Sequence, residues 1–213
     1  MSVPNTFTIG IGGQARSGKD TLGGYLVQRL NNIGVLGKWE RRGFGDAVKR
    51  IFIEVFGVDE DFVEGWKTNA EPPPGFELPI RTCLTLVGDG FRQMKPTVWI
   101  DKLFQSSKGC LVVTDVRYLN EVQFIRQRPG VVVLLYRPGF ENNIPSPSEQ
   151  ELVPLIQRLL ELRTEGPVRR SDLPCDYFLI NNGSVEDLLR KADAHIIPDV
   201  VQNIRESLRG KTL

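Results

Sequence analysis

The amino-acid sequence predicts an α/β fold in which a parallel β-sheet is flanked by helices. Short apolar segments rich in β-branched residues alternate along the chain with segments whose apolar residues recur at helical spacing. The apolar segments are continuous and do not alternate with polar residues, which is typical of strands covered on both faces. The length of 213 residues suits one domain that can bury a full core.

Each element in the first part of the chain rests on a local signal. Residues 6–11 are short, β-branched and apolar, which predicts the first strand, and residues 38–44 predict a second. A helix is expected over residues 19–31 because leucines recur there every four positions. Asp46 stands where a helix N-cap is expected, ahead of further apolar residues at helical spacing.

The rest of the chain continues the same alternation. A loop is expected at residues 67–79, which contain three consecutive prolines. Two pairs of polar residues at N-cap spacing, Ser148 with Glu151 and Ser184 with Asp187, predict the starts of two later helices. The remaining predicted elements are helices over residues 80–93, 96–105 and 118–127, and strands over residues 110–114, 131–136 and 176–180.

The charge balance and the rare residue types exclude several classes of function. The 27 lysines and arginines against 26 aspartates and glutamates give a net charge of +1, which argues against nucleic-acid binding driven by overall charge. The longest aliphatic run, residues 131–135, is too short to cross a membrane. Three scattered cysteines and one histidine favour neither a disulfide framework nor a zinc site, so we expect a protein of the reducing cytoplasm.

A glycine-rich loop carries the strongest functional signal. It reads Gly-Gln-Ala-Arg-Ser-Gly-Lys-Asp-Thr over residues 13–21, between the first predicted strand and the first predicted helix. Backbone N–H groups of such a loop surround phosphate oxygens, and Lys19 can reach the β- and γ-phosphates of a nucleotide. The alternative is a turn that only connects a strand to a helix. The residues expected to bind ATP are Gly13, Arg16, Ser17, Gly18, Lys19, Asp20 and Thr21.

Two carboxylates are candidates for holding Mg²⁺. Asp20 stands where the usual loop pattern places a serine or threonine, and carboxylate oxygens suit Mg²⁺. Asp115 directly follows the predicted strand 110–114, at the edge where parallel sheets bind ligands. Arg117 can place a guanidinium on a transferring phosphoryl group. The alternative interpretations are a helix-capping aspartate and an arginine in a surface ion pair.

Several motifs, taken together and in this order, resemble those of the phage-type deoxynucleoside monophosphate kinases. The resemblance begins with the glycine-rich loop and extends over most of the chain. Its further motifs are Phe-Gly-Asp-Ala-Val-Lys at 44–49, Gly-Asp-Gly-Phe-Arg at 88–92, Asp-Val-Arg-Tyr-Leu-Asn-Glu at 115–121, Arg-Pro-Gly at 137–139, Ser-Glu at 148–149 and Asn-Asn-Gly-Ser at 181–184.

The resemblance implies a single domain with a P-loop kinase fold. It places a monophosphate-binding insert at approximately residues 45–105 and a lid at approximately residues 137–173. The implied reaction moves the γ-phosphoryl group of ATP, with Mg²⁺, onto a deoxynucleoside monophosphate, giving a diphosphate and ADP. A phage-encoded enzyme of this kind would work in the cytoplasm of the host.

The chemistry of phosphoryl transfer and the resemblance together assign residues to roles. The alternative interpretation of Trp66 is a position in the hydrophobic core, and that of each lid arginine is a solvated position on the surface. The catalytic candidates are Lys19, Asp115, Arg117 and Arg137, with Arg169 and Arg170 as further lid arginines. The residues expected beside the adenine are Asn181 and Asn182. The residues expected to bind the monophosphate are Asp46, Lys49, Trp66, Arg81 and Arg92.

Two other functions fit the same sequence. One is another P-loop small-molecule kinase, such as a dephospho-coenzyme A kinase, and the other is a non-catalytic nucleotide-binding module. A GTP-dependent switch is not expected, because the Asn-Lys-x-Asp sequence that reads guanine does not occur. The sequence leaves open which bases are accepted, whether ribonucleotides are refused, and whether the protein is a monomer or a homodimer.

Overall fold

The computed structural model describes residues 6–140 and 147–209. These residues form two compact units. The sheet unit contains the described residues up to Arg42 and those from Ser107 onward, and the helical unit contains residues 43–106.

The sheet unit is built on a six-stranded sheet with the strand order β2-β3-β1-β4-β6-β5. All neighbouring strands are parallel except β5, which runs antiparallel to β6 at the edge. The predicted α/β fold with a parallel sheet is therefore confirmed. The strands are β1 (Thr8–Gly13), β2 (Trp39–Arg42), β3 (Cys110–Val116), β4 (Gly130–Tyr136), β5 (Gly166–Pro167) and β6 (Tyr177–Ile180).

The helices connect the strands of the sheet unit and make up the helical unit. The last two are joined by a π-helical segment, Ala192–Ile196. In chain order the helices are α1 (Lys19–Ile33), α2 (Gly45–Phe56), α3 (Glu60–Trp66), α4 (Ile80–Met94), α5 (Val98–Ser106), α6 (Leu119–Arg126), α7 (Pro147–Gln150), α8 (Val153–Glu161), α9 (Val185–Lys191) and α10 (Ile197–Arg209).

Helices cover both faces of the sheet. Ile9 and Ile11 of β1 are fully buried in one hydrophobic cluster with Leu26 of α1. A Cβ atom added to Gly10, which lies between those two isoleucines, would stand 2.5 Å from Cδ1 of Ile125 in α6. Because successive strand residues point to opposite faces, α1 and α6 lie on opposite sides of the sheet.

The helical unit has its own small core. Phe52, Val63 and Ile80 are fully buried there, one each from α2, α3 and α4. Trp66 packs against this core and contacts the ring of Phe62, with 6.5 Å between ring centroids. The ring of Trp66 therefore makes the contacts expected of a core residue, which was the alternative to a role in binding the monophosphate.

Two predicted ends of elements are wrong, each by two residues. Asp46 is not the N-cap of α2, because the helix already begins at Gly45 after Phe44. Asp46 lies in the first turn of α2, and its carboxylate accepts the backbone N–H of Gly43 at 2.8 Å. The side chain therefore still supplies an acceptor to a backbone N–H at the start of the helix. Asp115 lies within β3 and does not follow it, because pairing with β1 continues to Val116.

One of the two predicted capping pairs is confirmed. The Ser184 hydroxyl accepts the N–H of Asp187 and the Asp187 carboxylate accepts the N–H of Ser184, so α9 starts with a capping box. The pair Ser148 and Glu151 is wrong, because the chain forms two helices, α7 and α8, with Glu151 between them. The Glu151 carboxylate instead accepts the N–H of Leu119.

Three elements were not expected from the sequence. They are α3, the two-residue edge strand β5, and α10 with the π-helical segment before it. The sequence carries a signal for α3, since the side chain of Asp59 accepts the N–H of Phe62 and two acidic residues follow in the first turn. No helix in the described part of the chain is long and apolar enough to span a membrane.

Two adjacent glycines of α1 give a test of helix–sheet packing. A Cβ atom on Gly23 would stand 2.2 Å from Cγ2 of Thr114 in β3, whereas one on Gly24 would meet nothing within 4 Å. We expect Gly23→Ala to lower the free energy of unfolding by about 1–3 kcal/mol through overpacking. Gly24→Ala, the matched control, should raise it by about 0.5–1 kcal/mol through helix propensity.

Urea unfolding monitored by circular dichroism measures both changes. Equal effects of the two substitutions would contradict the close packing of α1 on β3.

Candidate phosphate-binding site

The loop between β1 and α1 adopts a conformation that depends on glycine at two positions. Gly13 has a φ of 141° and Gly18 has a φ of 103°. A Cβ atom on Gly13 would stand 2.2 Å from the carbonyl oxygen of Leu135 in β4, a distance that no side chain tolerates. The two glycines thus let the loop turn tightly against the neighbouring strand, and Gly18 serves as the N-cap residue of α1.

Lys19 is the first residue of α1 and its side chain folds back over the loop. Its Nζ donates to the carbonyl oxygens of Gly13 at 2.7 Å and Gln14 at 2.6 Å. The residue is only 7% exposed. An ammonium group held in this way lies beside the helix N-terminus, so two sources of positive charge meet at the loop.

Ser17 carries an orphaned buried polar atom. The residue is 1% exposed, and its Oγ has no hydrogen-bond partner among the residues that the structure describes. Leaving a buried hydroxyl without a partner costs about 1–3 kcal/mol. A bound anion in the loop would supply the missing acceptor, so this hydroxyl fits a phosphate-binding role.

Two residues predicted for other parts of the site contact the loop from outside. Asn181, expected beside the adenine, donates from Nδ2 to the carbonyl oxygen of Ser17 at 2.9 Å. Arg137, expected in the lid, donates to the carbonyl oxygen of Arg16 at 3.4 Å and stacks on the ring of Phe140. The structure therefore brings both residues to the phosphate loop.

Asp20 belongs to a hydrogen-bonded group at the carboxyl edge of the sheet. Its Oδ1 accepts from Oγ1 of Thr114 and from the guanidinium of Arg41, each at 3.0 Å. The Asp20 side chain is 78% exposed, so other cations can also reach it. Arg41 and Thr114 were not among the residues predicted for the site, although each lies near the carboxyl end of a predicted strand, where parallel sheets bind ligands.

Asp115 and Arg117 lie at the same edge. The parallel pairing of β1 with β3 sets Gly12 opposite Val116, so Asp115 lies in the strand beside the one that leads into the loop. Both side chains are half-buried. The turn that carries Arg117 is held by the buried carboxylate of Glu121, whose Oε2 accepts the N–H of Arg117 at 2.8 Å.

The donor set fits Mg²⁺ of the kind that arrives with a nucleotide. The described residues contain no group of three or more histidine, cysteine, aspartate or glutamate side chains that could hold a metal ion alone. Mg²⁺ in phosphoryl-transfer sites needs only one or two carboxylates, because substrate phosphates and water fill the remaining positions. Asp20 and Asp115 are the carboxylates of this edge that could serve.

Other predicted residues of the sheet unit have different environments. Asn182 accepts from Lys191 at 3.4 Å, and Lys191 also binds the carbonyl of Ile180 at 2.6 Å. Arg170 is exposed and pairs with Asp172 two residues on, and this hydrogen bond holds the pKa of the Asp172 carboxyl below its usual range. Arg16, Thr21 and Arg169 are exposed as well. Residues 141–146 of the predicted lid lie outside the described residues.

The predicted monophosphate-binding residues lie in the helical unit. Nζ of Lys49 contacts the carboxylates of Glu64 at 2.6 Å and Glu60 at 3.3 Å. Burial lowers the pKa of Lys49, but its bonds to the two glutamates outweigh this effect and raise the pKa overall. Arg92 lies 3.6 Å from the carboxylate of Asp89 in the same helix. Asp46 and Arg81 are exposed.

Comparison with known proteins identifies a viral protein as a relative in sequence. A protein of Acanthamoeba polyphaga mimivirus, whose name marks it as a proposed deoxynucleotide monophosphate kinase, is 27% identical over 198 residues. The match covers 84% of this chain and 90% of the mimivirus protein. The resemblance that the sequence motifs predicted is thus confirmed over most of the chain. No family model matches.

Two solved structures were also found to be similar. One is the APS kinase of Mycobacterium tuberculosis in complex with AMPPNP and APS, which is 12% identical with a TM-score of 0.39 and covers 94% of this chain and 99% of that one. The other is the shikimate kinase of Acinetobacter baumannii in complex with shikimate, which is 18% identical with a TM-score of 0.41 and covers 93% of this chain and 95% of that one.

The loop geometry predicts that a methyl group on Gly18 impairs nucleotide binding. The added Cβ would stand 2.8 Å from Nδ2 of Asn181, at a φ that side chains rarely adopt. We expect Gly18→Ala to weaken ATP binding by at least about tenfold, because the loop amides and Lys19 leave their positions. Isothermal titration calorimetry with ATP measures the change.

Gly34→Ala is the matched control. Gly34 also has a positive φ, 70°, but a Cβ atom there would meet nothing within 4 Å. This control should cost about 1 kcal/mol of stability and leave ATP affinity unchanged. Equal loss of affinity in both variants would show that backbone strain, and not the loop, causes the effect.

Proposed function

We propose that this protein is an ATP-dependent kinase that phosphorylates deoxynucleoside monophosphates to diphosphates. The observation that carries the proposal is the loop at residues 13–18, where Lys19 folds over the backbone and the buried Ser17 hydroxyl has no partner among the described residues. A site of this kind suits the phosphates of a nucleoside triphosphate. The carboxylates and arginines at the adjacent strand ends favour transfer of a phosphoryl group over binding alone.

The residues of the sheet unit divide the work of phosphoryl transfer. The loop amides and Lys19 would hold the β- and γ-phosphates, and Asn181 would keep the loop in place through its bond to Ser17. Arg117 and Arg137 would balance the charge that develops on the transferring group. An attacking phosphate oxygen needs orientation and not a protein nucleophile, so positioning and charge are what the protein supplies.

Asp20 and Asp115 are the residues proposed to hold Mg²⁺. When bound, the ion would neutralise charge on the phosphate oxygens of the nucleotide. The hydroxyl of Thr114 fixes the Asp20 carboxylate from β3, the same strand that carries Asp115. The two carboxylates are thereby tied to one strand, which limits how far they can move apart.

The motifs and the mimivirus relative support a deoxynucleoside monophosphate as the acceptor. The mimivirus relative is named for that substrate. The Gly-Asp-Gly-Phe-Arg motif at residues 88–92 is one of the motifs on which the resemblance to deoxynucleoside monophosphate kinases rests. We propose that the helical unit binds the acceptor, with Arg81 and Arg92 as the cations for its phosphate. Lys49 is a weaker candidate than the sequence suggested, because two glutamates already hold its ammonium group.

A coupled assay of ADP release tests the proposal. With ATP, Mg²⁺ and each deoxynucleoside monophosphate in turn, we expect turnover that depends on the acceptor. Lys19→Ala should lower kcat/KM by about 10²-fold or more, because the charge on the transferring phosphates loses its main partner. Lys38→Ala is the matched control, since Lys38 is exposed and pairs with Glu40 at the surface.

Three results would contradict the proposal. Equal loss in the two lysine variants would contradict the role of Lys19. ATP binding without turnover on any deoxynucleoside monophosphate would contradict the acceptor class, and turnover with dephospho-coenzyme A would then identify another small-molecule kinase. ATP binding without turnover on any acceptor would identify a nucleotide-binding module.

A further inference from the structure

The turn between β3 and α6 is held by two carboxylates from different parts of the chain. Oε2 of Glu121 accepts the backbone N–H groups of Arg117 at 2.8 Å and Tyr118 at 3.2 Å. Oε1 of Glu151 accepts the next N–H, that of Leu119, at 2.7 Å. These N–H groups stand at the start of a helix, where the helix itself offers no acceptor. Three consecutive amides therefore have carboxylate partners.

Glu121 is a local cap, but Glu151 reaches the turn from 32 residues further along the chain. Its position is fixed by its neighbour Leu152, which is buried at the start of α8. Leu152 packs on the backbone of β1, since a Cβ atom added to Gly12 would stand 3.0 Å from its Cδ1. Glu151 thus joins the start of α8 to the turn that carries Arg117, directly beside the phosphate loop.

We infer that Glu151 is a positioning residue for Arg117. This inference rests on the proposed phosphoryl-transfer function, in which Arg117 balances charge on the transferring group. The Glu151 carboxylate fixes the amide two residues beyond Arg117. Glu121 holds the amide of Arg117 itself, and the pairing of β3 with β1 holds Val116 before it. Without Glu151 the turn loses one of the three hydrogen bonds that hold its amides. The guanidinium of Arg117 would then no longer keep the position that phosphoryl transfer requires.

Kinetics separate positioning from binding. We expect Glu151→Ala to lower kcat by about tenfold while KM for ATP changes by less than about twofold, because Arg117 acts on the transition state and not on ATP binding. Glu151→Gln keeps an oxygen that can accept the Leu119 N–H, so it should restore most of kcat. Glu161→Ala is the matched control, since Glu161 is an exposed carboxylate of α8 that pairs with Arg158.

A double-mutant cycle tests whether Glu151 acts through Arg117. If it does, Glu151→Ala lowers kcat in the wild-type protein but has little further effect when Arg117→Ala is already present. A merely structural role would lower kcat by the same factor in both backgrounds. Additive effects would therefore overturn the inference, and so would an unchanged kcat of Glu151→Ala in an active enzyme.

Amide hydrogen exchange tests the anchor without any enzymatic activity. In Glu151→Ala the Leu119 amide should exchange at least about tenfold faster than in the wild type, while Glu161→Ala leaves it unchanged. Unchanged exchange would overturn the inference whether or not the protein is a kinase. Absence of wild-type turnover would count against the proposed function and thus against a role in catalysis, even where exchange shows that the anchor exists.

Discussion

The close approach of the phosphate loop to strand β4 is the constraint on which the site depends. At Gly13 the backbone lies so near the carbonyl of Leu135 that a Cβ atom would stand 2.2 Å from it. This approach turns the chain sharply from β1 into α1 and brings Lys19 back over the carbonyls of Gly13 and Gln14. The path of the backbone therefore determines where the positive charge of Lys19 lies in the site.

Polar contacts from four strands hold the loop and its first helical turn. Asn181 follows β6 and Arg137 follows β4, and both donate to carbonyl oxygens of the loop. Arg41 of β2 and Thr114 of β3 bind the carboxylate of Asp20. Since all these strands are parallel, their carboxyl ends meet at one edge, and this is why residues far apart in sequence converge there.

The features that the sequence predicted are those encoded locally. The loop at residues 13–21 lies between a strand and a helix, as its glycines and the flanking apolar pattern indicate. Contacts such as Glu151 to Leu119 could not be predicted, because neither residue carries a local sign of its partner. Asp115 was predicted as a site residue although its strand ends two residues later than expected, because the rule concerns the edge of the sheet and not the exact boundary.

The central claim about this protein is that the loop at residues 13–18 binds phosphate groups without help from the rest of a nucleotide. Amide ¹H–¹⁵N spectra of the protein, recorded with tripolyphosphate and separately with adenosine, address this point. We expect tripolyphosphate to shift the amide signals of residues 13–19 and adenosine to leave them in place. Unmoved loop signals at saturating tripolyphosphate, or shifts confined to other parts of the chain, would contradict this claim.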